Sequence, residues 1–229
     1  MIRTGLIISA FAFILAVIFS AYGWMHTDPG AQVPVHFNMS GEADRYGSKA
    51  EAFLRLPALL LGITFLLSLA PSIDPRGKNL RRSRPVYIVG WMIGVIAIAG
   101  GQGLITWTAL GGGVEGGVMA RGIGVFIAAI MLLLGLVIAK ARPNFFAGIR
   151  TPWTLSSDLS WDKTHRLASR VYLLAGLLGV AAALLLPPEP VTIGLFAALI
   201  ASTLGLVIYS WHVWKHDPAR ETLSPDDAD

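Results

Sequence analysis

Six runs of about 20 apolar residues, each nearly free of charge, dominate this sequence. A run of that length matches the hydrocarbon thickness a helix must cross, whereas a surface helix of a water-soluble domain keeps a polar face. The runs cover about Gly5–Trp24, Leu54–Ala70, Val86–Leu110, Val118–Ala139, Ala168–Leu186 and Val191–Trp211. The 229-residue chain has 54% hydrophobic and 14% charged residues, too little polar material to clothe a water-facing surface, since soluble domains carry about 25% charged residues. The expected fold class is therefore all-α: a polytopic membrane bundle of six transmembrane helices. There are no cysteines, which excludes disulfide scaffolds, thiolate metal sites and cysteine nucleophiles.

The first run reads as a retained helix, because its apolar stretch exceeds the roughly 7–15 residues of a signal peptide. The second is the shortest, and Pro57 is expected in its first turn, where a missing N–H costs nothing. Pro187-Pro188-Glu189-Pro190 joins the last two runs as a stiff link and forces an antiparallel pair. Lys and Arg set the orientation. Of the 18 basic residues, 14 fall on one side: Arg3, the 71–85 loop, the region from Lys140 to Arg170, Lys215 and Arg220. Arg45, Lys49, Arg55 and Arg121 fall on the other. Both termini are thus expected in the cytoplasm. The net charge of +4 is a topology signal, with no support for direct nucleic-acid binding. The chain divides into a two-helix unit (1–75), a four-helix membrane region (76–215) and an acidic tail (216–229).

Two loops exceed what connection requires. In the external one, 25–53, Val33, Val35 and Phe37 alternate with polar or proline positions and suit an extended segment, whereas Asn38–Gly41 and Asp44–Gly47 carry turn residues. In the internal one, 141–166, Ser156-Ser157-Asp158 offers an N-cap for a helix on which Trp161, His165, Ala168 and Tyr172 share a face. Asp162 and Arg166 are placed for an i,i+4 pair, and Trp153 and Trp161 suit an aromatic belt at headgroup depth. Read from physics alone, this segment is a membrane-surface elbow and the external loop an ordinary cap. Twelve of the 25 glycines lie between Gly90 and Gly124, so spans three and four are expected to form the tightest contact.

Catalytic chemistry is sparse. The span interiors hold almost no ionisable groups, which weighs against an ion-coupled transporter. Arg121 and Arg55 sit near span ends and reach the interface by snorkelling, and Gln102 suits a helix-packing hydrogen bond. His212 and His216 lie one turn apart without the glutamate of a zinc helix. His26, His36, Glu42 and Asp44 form a weak candidate set for an external metal. No nucleophile elbow occurs. The expectation is no catalytic residue, no metal and no cofactor.

The two loops nevertheless carry a resemblance. The segment from Pro34 to Lys49, with His36, Asn38, Gly41, Asp44, Tyr46 and Gly47, is similar to the P-x-H-(F/W)-N-x-x-G-x-x-(D/N)-x-(Y/W)-G-(S/N)-K stretch of an uncharacterised domain that commonly accompanies the SdpI domain. Asn144, Gly148, Arg150, Thr151, Trp153, Trp161 and His165 resemble the SdpI signature itself, N-x-x-x-G-(I/F)-R-(T/L)-x-(W/Y)-(T/A)-(L/M) followed by W-x-x-(T/A)-(H/N). The resemblance implies a multi-pass protein of the bacterial plasma membrane. Such a protein gives immunity to a secreted membrane-active peptide toxin and retains a cytoplasmic repressor at the membrane. On that reading Pro34, His36, Asn38, Gly41, Asp44, Tyr46 and Gly47 are candidates for toxin contact. Asn144, Gly148, Arg150, Thr151, Trp153, Trp161 and His165 are candidates for contact with the cytoplasmic partner. The alternatives are a transporter or exporter of small molecules, lipids or peptides, and a lipid-modifying enzyme using His165, Asp162 and Arg166.

Overall fold

The computed structural model describes residues 1–38, 42–113 and 115–220. Each of the six apolar runs is a helix long and apolar enough to cross a membrane. They are α1 (Ile2–His26), α2 (Lys49–Ile73), α4 (Arg84–Ala109), α5 (Gly116–Val137, prolonged by a 3-10 turn at Ile138–Lys140), α7 (Asp158–Leu185) and α8 (Pro188–Lys215). Two short helices, α3 (Gly77–Arg82) and α6 (Pro152–Leu155), lie in the basic loops. Two strands, β1 (Val33–Phe37) and β2 (Ala43–Gly47), pair antiparallel between α1 and α2.

The helices are built inside out relative to a soluble bundle. On α1 the buried residues are Gly5, Ser9, Ala12, Ala16, Ser20 and Gly23, all small, whereas Phe11, Ile14, Leu15 and Ile18 are exposed. Lipid solvates large apolar side chains, so association depends on close backbone approach and on hydrogen bonds between helices. Ser9 supplies both. It lies between α2 and α4, and its Oγ accepts from Thr64 Oγ1 at 2.9 Å and from Trp91 Nε1–H at 2.7 Å. The Trp91 ring covers Gly5, where a Cβ would sit 2.6 Å from the ring.

Two packing clusters follow. In the first, α1, α2 and α4 enclose Ala12, Ala16, Leu60, Tyr87, Trp91 and Val95. In the second, α5, α7 and α8 enclose Ile127, Ala128, Met131, Tyr172, Ala183 and Leu195. The closest helix pair is α5 with α7, and α4 touches α5 only lightly. This corrects the glycine-based expectation for spans three and four. Gly90, Gly94 and Gly100 of α4 face open space, whereas Gly135 abuts the Leu173 backbone and Gly176 the Leu132 backbone.

Two further expectations are corrected. Pro57 lies more than two turns inside α2, because the Ser48 hydroxyl caps the helix earlier by accepting from Glu51 N–H at 3.2 Å. Residues 44–47, read as a turn, form most of β2, since Tyr46 and Gly47 pair with Pro34 and Val33 across the ladder. Gln102 does make the packing bond expected of it, donating from Nε2 to the Ala52 carbonyl at 3.2 Å. Arg121 donates to the Ala183 and Leu184 carbonyls, in the last turn of α7 where carbonyls lack intrahelical partners.

Candidate functional site

The sequence signatures occupy opposite ends of the bundle. At one end the β-hairpin stands on α2 and α4. Val33 is buried with Ala52, Phe53 and Ile105, so one face of β1 is anchored in a small apolar cluster. The hairpin is tied down at its base. Arg45 donates to Glu51 Oε1 at 2.6 Å, and Arg55 reaches the same oxygen at 3.0 Å. Lys49 Nζ donates to the Thr27 carbonyl, the C-cap of α1, at 2.6 Å and lies 4.9 Å over the Trp24 ring. Gly47 is buried there, and a Cβ would sit 2.6 Å from Glu51 Oε2.

The outward side of the hairpin is polar. His36 Nδ1 and Asp44 Oδ1 lie 2.6 Å apart, both side chains well exposed. Tyr46 is 56% exposed and Pro34 half-buried. Asn38 closes the turn: its Oδ1 accepts from Glu42 N–H at 3.0 Å, and its Nδ2 donates to Glu42 Oε2 at 3.1 Å. Gly41 lies outside the described residues.

The other end is a polar knot that joins the two helix clusters. Asn144, buried completely, acts as a loop template. Its Oδ1 accepts from Phe146 and Ala147 N–H at 2.8 and 2.7 Å, and its Nδ2 donates to the Arg142 and Ala147 carbonyls at 2.6 and 3.0 Å. The loop then turns at Gly148, whose φ of +122° favours glycine. Trp161 stacks on His165 with ring centroids 4.2 Å apart and donates from Nε1 to the Ala141 carbonyl at 3.0 Å. It is fully buried, which corrects its placement in an interfacial belt. His165 Nδ1 faces the Trp161 carbonyl at 2.8 Å, and Nε2 faces Ile149 N–H at 2.9 Å. A carbonyl only accepts and an amide N–H only donates, so the ring is neutral with its proton on Nδ1.

Thr151 caps α6 reciprocally with Thr154 and meets Ser210 Oγ of α8 at 3.0 Å. Arg150 is exposed and donates to the Phe145 carbonyl at 2.6 Å, while Trp153 is half-exposed. Asn144, Thr151, Trp161 and His165 therefore turn inward, and of the signature residues Arg150 and, in part, Trp153 are presented outward. The i,i+4 pair Asp162–Arg166 is a loose, exposed contact at 3.9 Å.

Several residues of the knot were not singled out in the sequence. Asp74, the lone acid among the bases of 71–85, accepts from Arg76 N–H on Oδ1 at 2.7 Å and from Phe145 N–H on Oδ2 at 3.2 Å. Its isolation among cations was the one available signal. Ser83 Oγ accepts from Arg142 N–H at 2.8 Å, and Asn79 Nδ2 donates to the Pro143 carbonyl at 2.9 Å. Ser157 Oγ donates to Asp217 Oδ2 at 2.5 Å, and Ser160 Oγ to the Ser210 carbonyl at 2.7 Å. The Ser157 hydroxyl, with Ala219 N–H, holds the Asp217 carboxyl below its ordinary range. Ser157 is the N-cap of α7 expected from its sequence, its hydroxyl accepting from Ser160 N–H at 2.9 Å. Its bond to Asp217 and those of Ser83 and Ser160 leave no spacing signal and emerge only from the fold. Among the described residues no three metal-binding side chains converge, and His212 and His216 pack ring to ring at 4.6 Å.

The comparisons with known proteins fall on these two ends. Residues 140–210 match the SdpI/YfhL protein family, and residues 11–61 match a domain of unknown function, DUF1648. The chain is 24% identical over 98 residues to the immunity protein SdpI of Bacillus subtilis (strain 168), across 43% of this chain and 45% of that protein. The match thus spans under half the length of that curated relative. No solved structure matches the chain. The chain is a multi-pass plasma-membrane protein, similar to the SdpI/YfhL family in one region and to DUF1648 in another.

Proposed function

We propose that this SdpI-type chain is a non-enzymatic immunity protein that intercepts a secreted, membrane-active cationic peptide at the hairpin end of the bundle. The observation that carries the reading is the electrostatic sorting of that hairpin. Its cations are paired at the base, the exposed Arg45 with Glu51 and Lys49 with the end of α1, whereas Asp28, Glu42 and Asp44 are exposed, so acids outnumber bases four to two over 25–53. A cationic peptide meets net negative charge with Tyr46 beside it, and complementary charge speeds encounter. His36, Asp44, Tyr46 and Pro34 are the proposed contact side chains. Asn38 and Gly47 are proposed to hold the hairpin in shape.

At the other end, Arg150 and Trp153 are proposed to hold a cytoplasmic repressor, with Asn144, Gly148, Thr151, Trp161 and His165 fixing the loop that presents them. The domain arrangement proposed is a two-helix unit over 1–75, the SdpI-like region over 76–215, and a tail.

The test is membrane potential, read by dye fluorescence, in cells exposed to a peptide proven active on a sensitive strain. Cells with the wild-type chain keep their potential. Cells with Asp44→Asn and Tyr46→Ala combined depolarise, at equal membrane abundance. Equal protection by the double variant sinks the hairpin assignment. Equal depolarisation with and without the wild-type chain sinks the immunity reading and turns attention to flux assays for transport. Arg150→Ala is expected to release a fluorescently tagged repressor from the membrane while protection persists.

A further inference from the structure

Where α2 leaves the bilayer, a pocket of about 620 Å3 opens between its last turn and α3. Its lining includes Ser72, Asp74, Arg76, Lys78 and Arg81. Asp74, whose two oxygens receive the Arg76 and Phe145 N–H groups, offsets only one of the three positive charges in the lining and leaves the pocket net cationic. Among the described residues, Arg76, Lys78 and Arg81 form no ion pair with a carboxylate. Lys78 and Arg81 are exposed.

The surroundings place this cationic pocket at headgroup depth. Ile73, one residue before Asp74, is 62% exposed, and Leu66 and Leu69 continue the exposed aliphatic face along α2. On the loop side, Phe145 and Phe146 are also exposed, and the Arg76 guanidinium lies 5.6 Å over the Phe145 ring. Aromatic rings beside cations at a helix end are the usual furnishing of a membrane–water boundary. A free soluble anion would need only the cations. The aliphatic stripe ending at the pocket supplies what an acyl chain needs as well.

We propose that this pocket binds the phosphate headgroup of an anionic phospholipid, with Lys78 and Arg81 contacting the phosphate and α2 accommodating an acyl chain. The proposal does not depend on the immunity reading. Basic pockets at helix ends bind anionic headgroups through short-range charge, and each cation near the surface contributes enough to matter.

The experiment uses the full chain purified in detergent and supplemented with phosphatidylglycerol, phosphatidylcholine or inorganic phosphate. Retained lipid is counted by native mass spectrometry, with melting temperature as a second readout. Phosphatidylglycerol is expected to be retained and to stabilise the wild-type protein. Lys78→Gln with Arg81→Gln is expected to reduce retention on the order of tenfold. A charge-matched control, Arg3→Gln with Arg82→Gln, changes two bases that do not line the pocket and is expected to retain the lipid. Equal melting of both variants in phosphatidylcholine verifies that they fold alike. Equal loss of lipid in both pairs overturns the proposal in favour of unspecific attraction. Equal stabilisation by inorganic phosphate overturns the lipid assignment. Stabilisation that needs no lipid and vanishes on removing residues 221–229 assigns the pocket to the chain's own acidic tail, and also overturns it.

Discussion

Gly148 and His165 show how one residue constrains another. A Cβ at Gly148 would lie 2.5 Å from His165 Nε2, and the backbone φ there is already in the left-handed region. Gly148→Ala is therefore expected to cost at least about 1–2 kcal/mol from backbone strain alone, read as a lowered melting temperature in detergent. His165→Leu keeps the bulk but strands the Ile149 N–H, which costs about 1–3 kcal/mol when buried. A His165→Leu protein as stable as wild type would refute the tautomer assignment. Asp217 supplies a pH dependence with a definite sign. Its folded form favours the carboxylate, so it contributes stability above the ordinary value of 3.8 that is lost as pH falls through the lowered folded value. The Asp217→Asn chain should lose that acid-side dependence, measured by hydrogen exchange in residues 157–160. At this scale the shared helix face marked His165, and the resemblance to the SdpI signature marked Gly148 and Asn144. It did not reveal that they face inward, because the Ile149–His165 bond spans 16 positions and leaves no periodic trace.

Helices were the most legible level, since an apolar run of bilayer length leaves one economical backbone solution. Which faces meet was much less so. A small-xxx-small pattern marks a close approach without identifying the partner, and Gly90 and Gly94 on α4 prove to face no neighbour while Gly135 and Gly176 join α5 to α7. The contrast makes a paired prediction. Gly176→Leu should disrupt the bundle and lower thermal stability sharply, whereas Gly94→Leu should be near neutral. The reverse ranking would overturn the packing described. On α1 the same logic applies to polar glue. Ser9→Ala removes the acceptor for Trp91 and Thr64, and about 0.6 kcal/mol is the usual scale for one such interhelical bond in a membrane. The β2 strand was illegible because Ala43, Asp44 and Gly47, three of its five residues, are poor strand formers in isolation. Pairing with β1 and the Arg45–Glu51 contact determine its conformation.

Six crossings return the chain to the side on which it began, and the excess of Lys and Arg at that end predicts this side to be the cytoplasm. Because the chain has no cysteine, one introduced at a time reports its own position. Cysteine replacing Lys78 is expected to react with an impermeant thiol reagent only after the membrane is opened, and cysteine replacing Tyr46 in intact cells. The opposite labelling would invert the molecule and remove the basis for an external hairpin. The arrangement of the cores has a consequence in time. The first core is lined by α1, α2 and α4, yet Ala141, Ala147 and Trp161 complete it. A ribosome delivering this chain releases three helices long before the residues that seal them, so the early intermediate waits in the bilayer with its basic end unfinished. A message truncated before codon 141 would yield a product that inserts but never closes, a ready target for the proteases that patrol the membrane.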